Sequence, residues 1–347
     1  MYEKSILITG SAGFFGSILK KRLLLNGHAC VGIDLHPDSH THSNFIPVQG
    51  DIRNLSTVKT LFETYAFDVV FHCAAILAHE RPSKKFLWES NVDGTKHIIE
   101  NCIEYQVPKI VFISSNCLWG HNINRAITEK DIPSPIEIYG KSKLAAEQLL
   151  LHHKKDLDVV IIRCPTIIDE GRLGLLAILF EFIYEGRTIW TVGSGNNRYQ
   201  FIYAPDLADA CIKAINYNSS NIFNVGSDNV ETLRNTYLKV IEYANTSSRV
   251  KQLPKTPTLL AMKLAYLLRI SPLGPYQYKM IAEDFQFDTS KTKKHLDWKP
   301  TLNNSKMLTA AYDYYQENRQ EIIQRTNASS HKTPAKMGVI KILKWLS

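Results

Sequence analysis

Tyr139 and Lys143 are the residues of this sequence whose types and spacing most directly suggest chemistry. Both lie on a predicted helix over residues 138–154, and side chains four residues apart share one helix face. A lysine ammonium beside a tyrosine favours the phenolate and lowers its pKa. Such a phenolate can take a proton from an alcohol while the carbon loses a hydride. Ser115, at the end of a predicted strand, offers a hydroxyl that can hold the same oxygen through the alcohol and ketone stages.

A glycine-rich turn follows the first predicted strand, residues 6–8, and leads into a helix. Its glycines are Gly10, Gly13 and Gly16, and the helix begins around Phe14 and Phe15. Free backbone N–H groups and the positive end of the helix dipole both favour a phosphate at such a turn. Glycines allow a pyrophosphate to approach the backbone closely. The turn therefore predicts a dinucleotide-binding site.

Asp34 indicates which dinucleotide is bound. It ends the second predicted strand, 18 residues after Gly16, where a carboxylate can accept both ribose hydroxyls of an adenosine. Its charge would repel a 2′-phosphate, and the following Leu35-His36 supplies no arginine to hold one. The predicted cofactor is NAD rather than NADP.

Strands alternate with helices through the first half of the chain. The alternation predicts an α/β fold, a Rossmann-type doubly wound parallel sheet whose ligands bind beyond the carboxyl ends of the strands. We assign residues 1–170 to an NAD-binding Rossmann domain that also takes back about 199–227. The predicted strands are 6–8, 30–34, 45–52, 69–75, 109–115 and 159–163, and the predicted helices are 56–65, 86–105 and 138–154.

The second half predicts a smaller C-terminal α/β substrate-binding region over residues 171–325. Its expected elements are helices at 173–185, 206–215, 230–245 and 259–268, and strands at 201–203 and 221–226. We expect the apolar helix 259–268 to be a core helix of this region, with a membrane contact as the alternative. Residues 326–347 predict a linker and a basic amphipathic tail, which could lie in a membrane interface or dock on the protein's own surface.

Composition limits the class of protein. The chain has 347 residues, 44% hydrophobic and 21% charged, which is ordinary for a globular protein, and a net charge of +8, which suits an anionic ligand. No basic stretch interleaved with aromatic residues suggests nucleic acid. The six cysteines lack metal or disulfide spacing, so we expect reduced thiols and no metal. We see no signal peptide and no spanning segment, and expect a cytoplasmic protein, with peripheral membrane contact through the tail as an option.

The ordered motifs resemble the extended short-chain dehydrogenase/reductase family, in its NAD-dependent epimerase/dehydratase branch, over roughly residues 4–315. The glycine turn, Ser114-Ser115 and Tyr139-Gly-Lys-Ser-Lys143 are similar to the family's cofactor and active-site motifs. The resemblance implies a homodimer and a nucleotide-sugar substrate. It also implies further residues around the cofactor, namely Asp51, Ile52, Ala74, Ala75, Asn91 and Pro165, in addition to Tyr139 and Lys143.

The same resemblance implies four substrate-binding residues, Asn116, Cys117, Thr166 and Arg198. Arg198 stands where the family commonly holds a diphosphate, and an arginine suits bidentate phosphate binding; a plain surface arginine is the alternative. Thr166 replaces an asparagine of many 4-epimerases, and Asn116-Cys117 replaces the acidic pair of 4,6-dehydratases. Cys117 resembles the cysteine of 3,5-epimerases, yet the loop 169–173 has no His or Lys as the partner acid, so a small packing thiol is the competing interpretation. Trp119 could stack on a substrate or pack in the wall.

These features predict an NAD-dependent sugar-nucleotide epimerase of the 4-epimerase type, which oxidises the sugar transiently and returns the hydride to the opposite face. Ser115, Tyr139 and Lys143 are the predicted catalytic residues. The first alternative is a net dehydrogenase or reductase acting on a keto sugar or on a sterol or lipid alcohol. The second is a non-catalytic NAD-binding scaffold, against which the intact catalytic trio argues.

Overall fold

The computed structural model of the protein describes residues 3–77, 82–172, 175–268, 270–271 and 273–324. The strands within these residues are β1 (Ser5–Thr9), β2 (Ala29–Asp34), β3 (Phe45–Gln49), β4 (Val69–His72), β5 (Lys109–Ser115), β6 (Asp158–Cys164), β7 (Thr166–Ile168), β8 (Ile189–Val192), β9 (Phe201–Tyr203), β10 (Asn221–Asn224) and β11 (Val250–Leu253). The α-helices are α1 (Phe14–Leu25), α2 (Leu55–Thr64), α3 (Lys84–Trp88), α4 (Gly94–Glu104), α5 (Ile138–His152), α6 (Leu176–Tyr184), α7 (Ala204–Ala214), α8 (Leu233–Ala244), α9 (Lys255–Leu267), α10 (Pro275–Met280), α11 (Ser290–Leu296) and α12 (Asn304–Gln324).

A seven-stranded parallel sheet forms the centre of the molecule, in the order β10-β6-β5-β4-β1-β2-β3. The strand order reverses between β1 and β4, and such a switch point opens a ligand crevice at the carboxyl ends of the strands. The Rossmann-type fold predicted from the alternating elements is therefore confirmed. The predicted helix 86–105 is interrupted, because a π-helical turn, Glu89–Asp93, separates α3 from α4.

Both faces of the sheet are buried. One face packs against α1 and α7 and includes Phe71 and Phe223, while the other packs against α2, α4 and α5 and includes Phe112. The first cluster is completed from far along the chain by Leu296 and the fully buried Trp298. The indole Nε1 of Trp298 donates to the Asp206 carbonyl over 2.8 Å. Residues near 296–298 therefore belong to the core of the main sheet.

A second body of structure is built from the later elements. Two small parallel pairs, β7 with β9 and β8 with β11, pack with α6, α8 and α12 around Phe180 and Tyr312. The sequence patterns predict neither β8 and β11 nor the 21-residue α12. An ion pair joins α6 to α12, because Arg319 donates to both carboxylate oxygens of Glu181 over 2.8 and 2.9 Å.

The expectation of a core helix at 259–268 is wrong. α9 covers this stretch, but none of its residues is buried, and Leu260, Leu264, Leu267 and Leu268 are between 57% and 68% exposed. The apolar pattern identified a helix correctly but could not show whether other elements cover it.

The predicted linker and amphipathic tail at 326–347 lie outside the described residues. Within the described ranges, the helices are all too short or too polar to cross a membrane. The six cysteines are free.

Candidate active site

The glycine turn adopts a conformation that other residues would strain. Gly10 has φ +73°, and a Cβ there would lie 2.9 Å from the backbone of Ala74. A Cβ on Gly16 would lie 2.0 Å from the Gly10 carbonyl oxygen. Gly13 is the N-cap of α1 and has no side chain to bind the free N–H groups of the first turn. The helix N-terminus is thus left open to an anion beside the switch point.

The carboxylate of Asp34 is fixed against this turn. Its Oδ2 accepts from the Ala12 backbone N–H over 3.1 Å, and its Oδ1 accepts from the His36 backbone N–H over 2.9 Å. Each carboxylate oxygen keeps a further lone pair. The geometry therefore holds a half-buried acceptor next to the phosphate turn, which fits the adenosine ribose of NAD.

A buried hydrogen-bond chain joins the turn to β4 and α4. Thr95 donates to the Asn91 carbonyl, so its hydroxyl accepts from His72 Nε2 over 2.8 Å; His72 Nδ1 then accepts from Thr9 over 2.7 Å. Thr9 in turn accepts from the Ala74 N–H over 3.2 Å. Burial lowers the pKa of His72 to about 3, so the ring stays neutral. Each hydrogen bond in this series therefore keeps the same donor and acceptor. The series fixes the backbone under the predicted cofactor site.

Asn91 acts within the protein. Its Oδ1 accepts from the Ile76 N–H over 2.7 Å, and its Nδ2 donates to the Ile76 carbonyl and to Ser142 Oγ over 3.1 and 3.0 Å. Ser142 donates onward to the Tyr139 carbonyl over 2.8 Å. Since both amide hydrogens are used, its predicted role at the cofactor is one of positioning the segment after β4 and the start of α5.

Other residues predicted to surround the cofactor lie at the same edge. Asp51 accepts from Arg53 over 2.6 Å; burial alone would raise the pKa of Asp51, but the hydrogen bonds from Arg53 more than offset it and lower it. Ile52 is buried and packs against Gly94. Ala75 follows β4, and Pro165 links β6 to β7.

The predicted catalytic side chains meet at the ends of β5 and α5. Ser115 ends β5, and its hydroxyl interacts with the phenol of Tyr139 in the first turn of α5. Burial raises the pKa of Tyr139 above its usual 10, while Ser115 and Arg172 act to lower it. This direction is opposite to the one expected from Lys143 alone, because desolvation of the phenolate outweighs the nearby cations in the protein by itself.

Lys143 is almost completely buried, one turn beyond Tyr139. Its Nζ lies 4.0 Å from the centroid of the Phe112 ring, a cation–π contact. Burial lowers the pKa of Lys143 to about 8. The ammonium is therefore held at a cost, as expected for a functional group.

A polar wall lies beside Ser115, whose hydroxyl is 3.4 Å from Asn116 Oδ1. Asn116 Nδ2 donates to the Tyr199 hydroxyl over 3.0 Å, and Thr166 Oγ1 lies 3.1 Å from the same hydroxyl. Asn116 and Thr166 were predicted from sequence, and Tyr199 joins them from the segment before β9. The position of Tyr199, directly after Arg198, was the only sequence signal that could have pointed to it.

Tyr276 is a second hydroxyl that the sequence did not indicate. It comes from α10, whose start is fixed by a hydrogen bond of 2.7 Å from the Tyr276 N–H to Glu137 Oε1. The Tyr276 hydroxyl is buried and faces Tyr199 and Cys117, yet it makes no hydrogen bond of ordinary geometry within the described residues. Burial raises its pKa well above 10, so it remains a neutral donor.

Cys117 and Trp119 belong to the wall. The Cys117 N–H donates to Ser115 Oγ over 3.2 Å, and burial raises the pKa of the thiol to about 12. A thiol with this pKa carries almost no thiolate near neutral pH. Trp119 is 2% exposed and packs edge-on against Phe287, their centroids 5.6 Å apart. Of the two interpretations of Trp119, wall packing is the one the geometry matches.

Two arginines of the site region have different surroundings. Arg172, on the loop after β7, lies with its guanidinium 5.5 Å from the centroid of the Phe14 ring. Burial lowers its pKa to about 10, while Tyr139 and Tyr199 lie close enough to act in the opposite direction. Arg198 is exposed, and its guanidinium donates to the Val230 carbonyl. The cation near Tyr139 and Tyr199 is thus the half-buried Arg172, while Arg198 lies at the surface.

The glycine turn lies at the switch point of a Rossmann-type sheet, and a serine, a tyrosine and a lysine lie at the carboxyl end of the same sheet. Together these features define an NAD-linked enzyme of the short-chain dehydrogenase/reductase class. The model of the NAD dependent epimerase/dehydratase family matches residues 6–226. The chain therefore belongs to this family. It is an NAD-dependent enzyme, an isomerase or an oxidoreductase, and its cofactor is NAD.

Similar proteins cover nearly the whole chain. An uncharacterized protein of Sinorhizobium fredii, y4nG, is 36% identical over 98% of this chain and 85% of its own length. A UDP-glucuronate 4-epimerase of Thermodesulfobacterium geofontis is 27% identical over 90% of this chain and 96% of its own. A UDP-glucose 4-epimerase structure from Thermotoga maritima, determined with UDP-glucose, has a TM-score of 0.75 at 21% identity and covers 91% of this chain and 99% of its own. The last likeness supports the fold alone.

Proposed function

We propose that the protein is a sugar-nucleotide 4-epimerase that oxidises a sugar hydroxyl transiently and returns the hydride to the opposite face. The observation that carries the proposal is the polar wall beside Ser115, built from Asn116, Thr166, Tyr199 and Tyr276. The Tyr276 hydroxyl faces Tyr199 and Cys117 but makes no hydrogen bond of ordinary geometry within the described residues, so a ligand can engage it. A buried unpaired polar group costs about 1–3 kcal/mol, and a ligand rich in hydroxyl groups relieves that cost.

In this mechanism the phenol of Tyr139 exchanges a proton with the sugar hydroxyl. The Ser115 hydroxyl holds the sugar oxygen. The Lys143 ammonium stabilises the negative charge of the Tyr139 phenolate as it forms, which lowers the pKa of the phenol. NAD, when bound on the glycine turn, supplies the hydride acceptor and donor. Asp34 would hold its adenosine ribose, and the N-terminus of α1 its pyrophosphate.

The surroundings of Ser115 disfavour two related reactions. A dehydratase needs an acid and a base to eliminate water, whereas Asn116 and Cys117 follow Ser115 here. Proton transfer next to a ketone by Cys117 needs a thiolate, which a pKa of about 12 opposes. The curated relatives named as a UDP-glucuronate 4-epimerase and as a putative UDP-glucose 4-epimerase support the same choice.

Arg172 narrows the proposed substrate. A half-buried guanidinium near Tyr139 and Tyr199 suits an anionic group close to the reacting carbon, and a carboxylate matches its paired donors. We therefore propose a uronic acid as the sugar, with UDP-glucuronate as the first substrate to test.

The test is incubation with UDP-glucuronate, UDP-glucose and other UDP-, GDP-, CDP- and dTDP-sugars in deuterated water. We expect a new 4-epimer without deuterium and without accumulating NADH. The Tyr139→Phe variant should lose at least about a thousandfold in turnover while it still binds NAD, and Tyr243→Phe, at an exposed tyrosine, should match the wild type.

Other outcomes would assign a different reaction. Deuterium next to the carbonyl carbon would make Cys117 catalytic and overturn hydride return as the whole mechanism. Stoichiometric NADH would support the dehydrogenase of a keto sugar or of a sterol or lipid alcohol. Bound NAD with no turnover on any substrate would support the scaffold.

A further inference from the structure

Helix α9 carries apolar residues on its outward side as well as on its inward side. The residues on its inward side are half-buried, and they include Leu259, Met262 and Tyr266. The outward side carries Leu260, Leu264 and Leu267, at positions i, i+4 and i+7 of one helix face. Their exposed fractions are 68%, 57% and 66%. A helix that is apolar on both sides needs a second apolar surface to cover it.

The exposed leucines extend beyond the helix. Leu268 and Ile270 are 61% and 50% exposed, so five large apolar side chains lie within eleven residues. We call Leu260, Leu264, Leu267, Leu268 and Ile270 the α9 patch. Single exposed apolar residues are normal, whereas contiguous apolar patches mark binding surfaces.

The chain segment that carries the α9 patch is basic. Residues 243–282 contain no aspartate or glutamate and carry six basic residues, Arg249, Lys251, Lys255, Lys263, Arg269 and Lys279. Lys263 is exposed and lies one residue before Leu264. A lysine stem can lie along an apolar layer while its ammonium reaches the phosphate level. Leucines flanked by cations are the composition of helices that lie in the surface of an anionic bilayer.

We propose that the α9 patch docks the protein on the surface of an anionic phospholipid bilayer. Two alternatives fit less well. A second copy paired through this patch would bring two cationic surfaces together, which is unfavourable. Five side chains on one helix also bury far less than the roughly 1,200–2,000 Å² of a stable protein interface. The chain's own tail, residues 337–346, carries Lys341 and Lys344 without an acidic residue, so it is also repelled.

The patch lies close to the catalytic pocket along the chain. Residues 268–274 connect α9 to α10, and α10 supplies Tyr276 to the polar wall. The Lys255 ammonium at the start of α9 pairs with Glu283 over 3.0 Å, just after α10. Docking through the patch would therefore place α10, a wall of the pocket, near the lipid surface. The proposal does not depend on which sugar the enzyme uses.

The experiment is co-sedimentation of the full-length protein with vesicles of phosphatidylcholine containing about 30% phosphatidylglycerol at low salt. We expect the wild type to bind, and to bind at least tenfold more weakly to vesicles of pure phosphatidylcholine or at high salt. The triple variant Leu260→Ser, Leu264→Ser, Leu267→Ser should lose at least tenfold in affinity. Lys263→Glu should weaken binding severalfold.

The matched control is the triple variant Leu25→Ser, Ile132→Ser, Leu238→Ser, which removes apolar side chains exposed elsewhere and should bind as the wild type does. Circular dichroism should show that both triple variants are folded. Wild-type protein that stays in the supernatant would overturn the proposal. An α9 triple variant that binds vesicles as the wild type does would also overturn it, and binding through the tail alone would give that result. A third contradicting result is a wild-type dimer that the α9 triple variant converts to monomer without any change in vesicle binding.

Discussion

At the scale of single residues, the site combines groups that the chain holds at an energetic cost. Lys143 is buried without an adjacent carboxylate hydrogen-bonded to it among the described contacts, and burial lowers its pKa to about 8. Within the described residues, the buried Tyr276 hydroxyl faces Tyr199 and Cys117 without a hydrogen bond of ordinary geometry. Strained or unsatisfied groups of this kind concentrate at functional sites. The site is therefore organised for a ligand rather than for stability alone.

Arg172 gives a residue-scale prediction that separates two substrates. Arg172→Leu should lower kcat/KM for UDP-glucuronate about a hundredfold, because a charge-assisted pair with a carboxylate is worth roughly 2–3 kcal/mol. The loss for UDP-glucose should be about threefold or less. Steady-state kinetics on both substrates make the comparison, and Arg172→Lys, which keeps the charge, should recover part of the activity. Equal losses on both substrates would mean that Arg172 acts on a group that they share.

The sequence predicted the parts of the site that lie on local motifs. The glycine turn, Asp34, Ser115, Tyr139 and Lys143 each sit at a strand end or in a helix turn, where type and spacing identify them. Tyr199 and Tyr276 could not be predicted, because only tertiary packing brings their segments to the end of β5. Likewise, the direction of the Tyr139 pKa depends on burial, which spacing does not report.

At the scale of elements, the spacing of apolar residues predicted the helices well, but it did not predict which other elements cover them. α9 was correctly expected as a helix and wrongly expected in the core. α12 was not predicted, because its apolar residues are interleaved with charged ones and only tertiary packing shows that they join the second core. A polar contact with α6 adds to this packing. In that contact, Glu181 accepts hydrogen bonds from Tyr315 and Arg319.

This contact predicts a pH-dependent stability. Burial alone would raise the pKa of Glu181, but the hydrogen bonds from Arg319 and Tyr315 more than offset it and lower the pKa to about 2 from a usual 4.5. A lowered carboxyl pKa contributes stability above the unfolded pKa, and that stability is lost as the pH falls through the folded pKa. Arg319→Ala should therefore cost about 2 kcal/mol at pH 7. The difference from wild type should shrink as the pH falls from about 4.5 towards 2.

Urea unfolding at a series of pH values measures this difference. Lys59→Ala is the control, since Lys59 pairs with Glu104 at 3.4 Å with both side chains about half exposed, and exposed ion pairs contribute little to stability. A cost for Arg319→Ala that does not change between pH 7 and pH 3 would show that the ion pair is not its source.

At the scale of the whole molecule, the chain passes between its two parts more than once. β10 and α7 return to the main sheet after β7 and β8 have begun the second part, and Trp298 returns again later. Asn304, at the start of α12, accepts from the Phe201 N–H and from Ser227. The division into residues 1–170 and 171–325 stays a prediction, and segments that cross it this often make independent unfolding of either part unfavourable.

Trp298 tests this coupling. It is fully buried in the core beside α1 and α7, and its neighbour Thr301 donates to both carboxylate oxygens of Asp206 over 2.7 and 2.8 Å. Trp298→Ala should destabilise the protein by about 3–5 kcal/mol, since a large cavity would remain. The NAD site lies in the first half, yet it should be lost together with the rest in a single transition, because Trp298 closes the core under the sheet. Calorimetry and NAD binding across the transition measure both effects. The control is Trp88→Ala, at an indole that is 37% exposed, which should lower the free energy of unfolding by about 1 kcal/mol or less. A Trp298→Ala protein that unfolds in two separate steps, with NAD still bound after the first step, would show that the two halves fold independently.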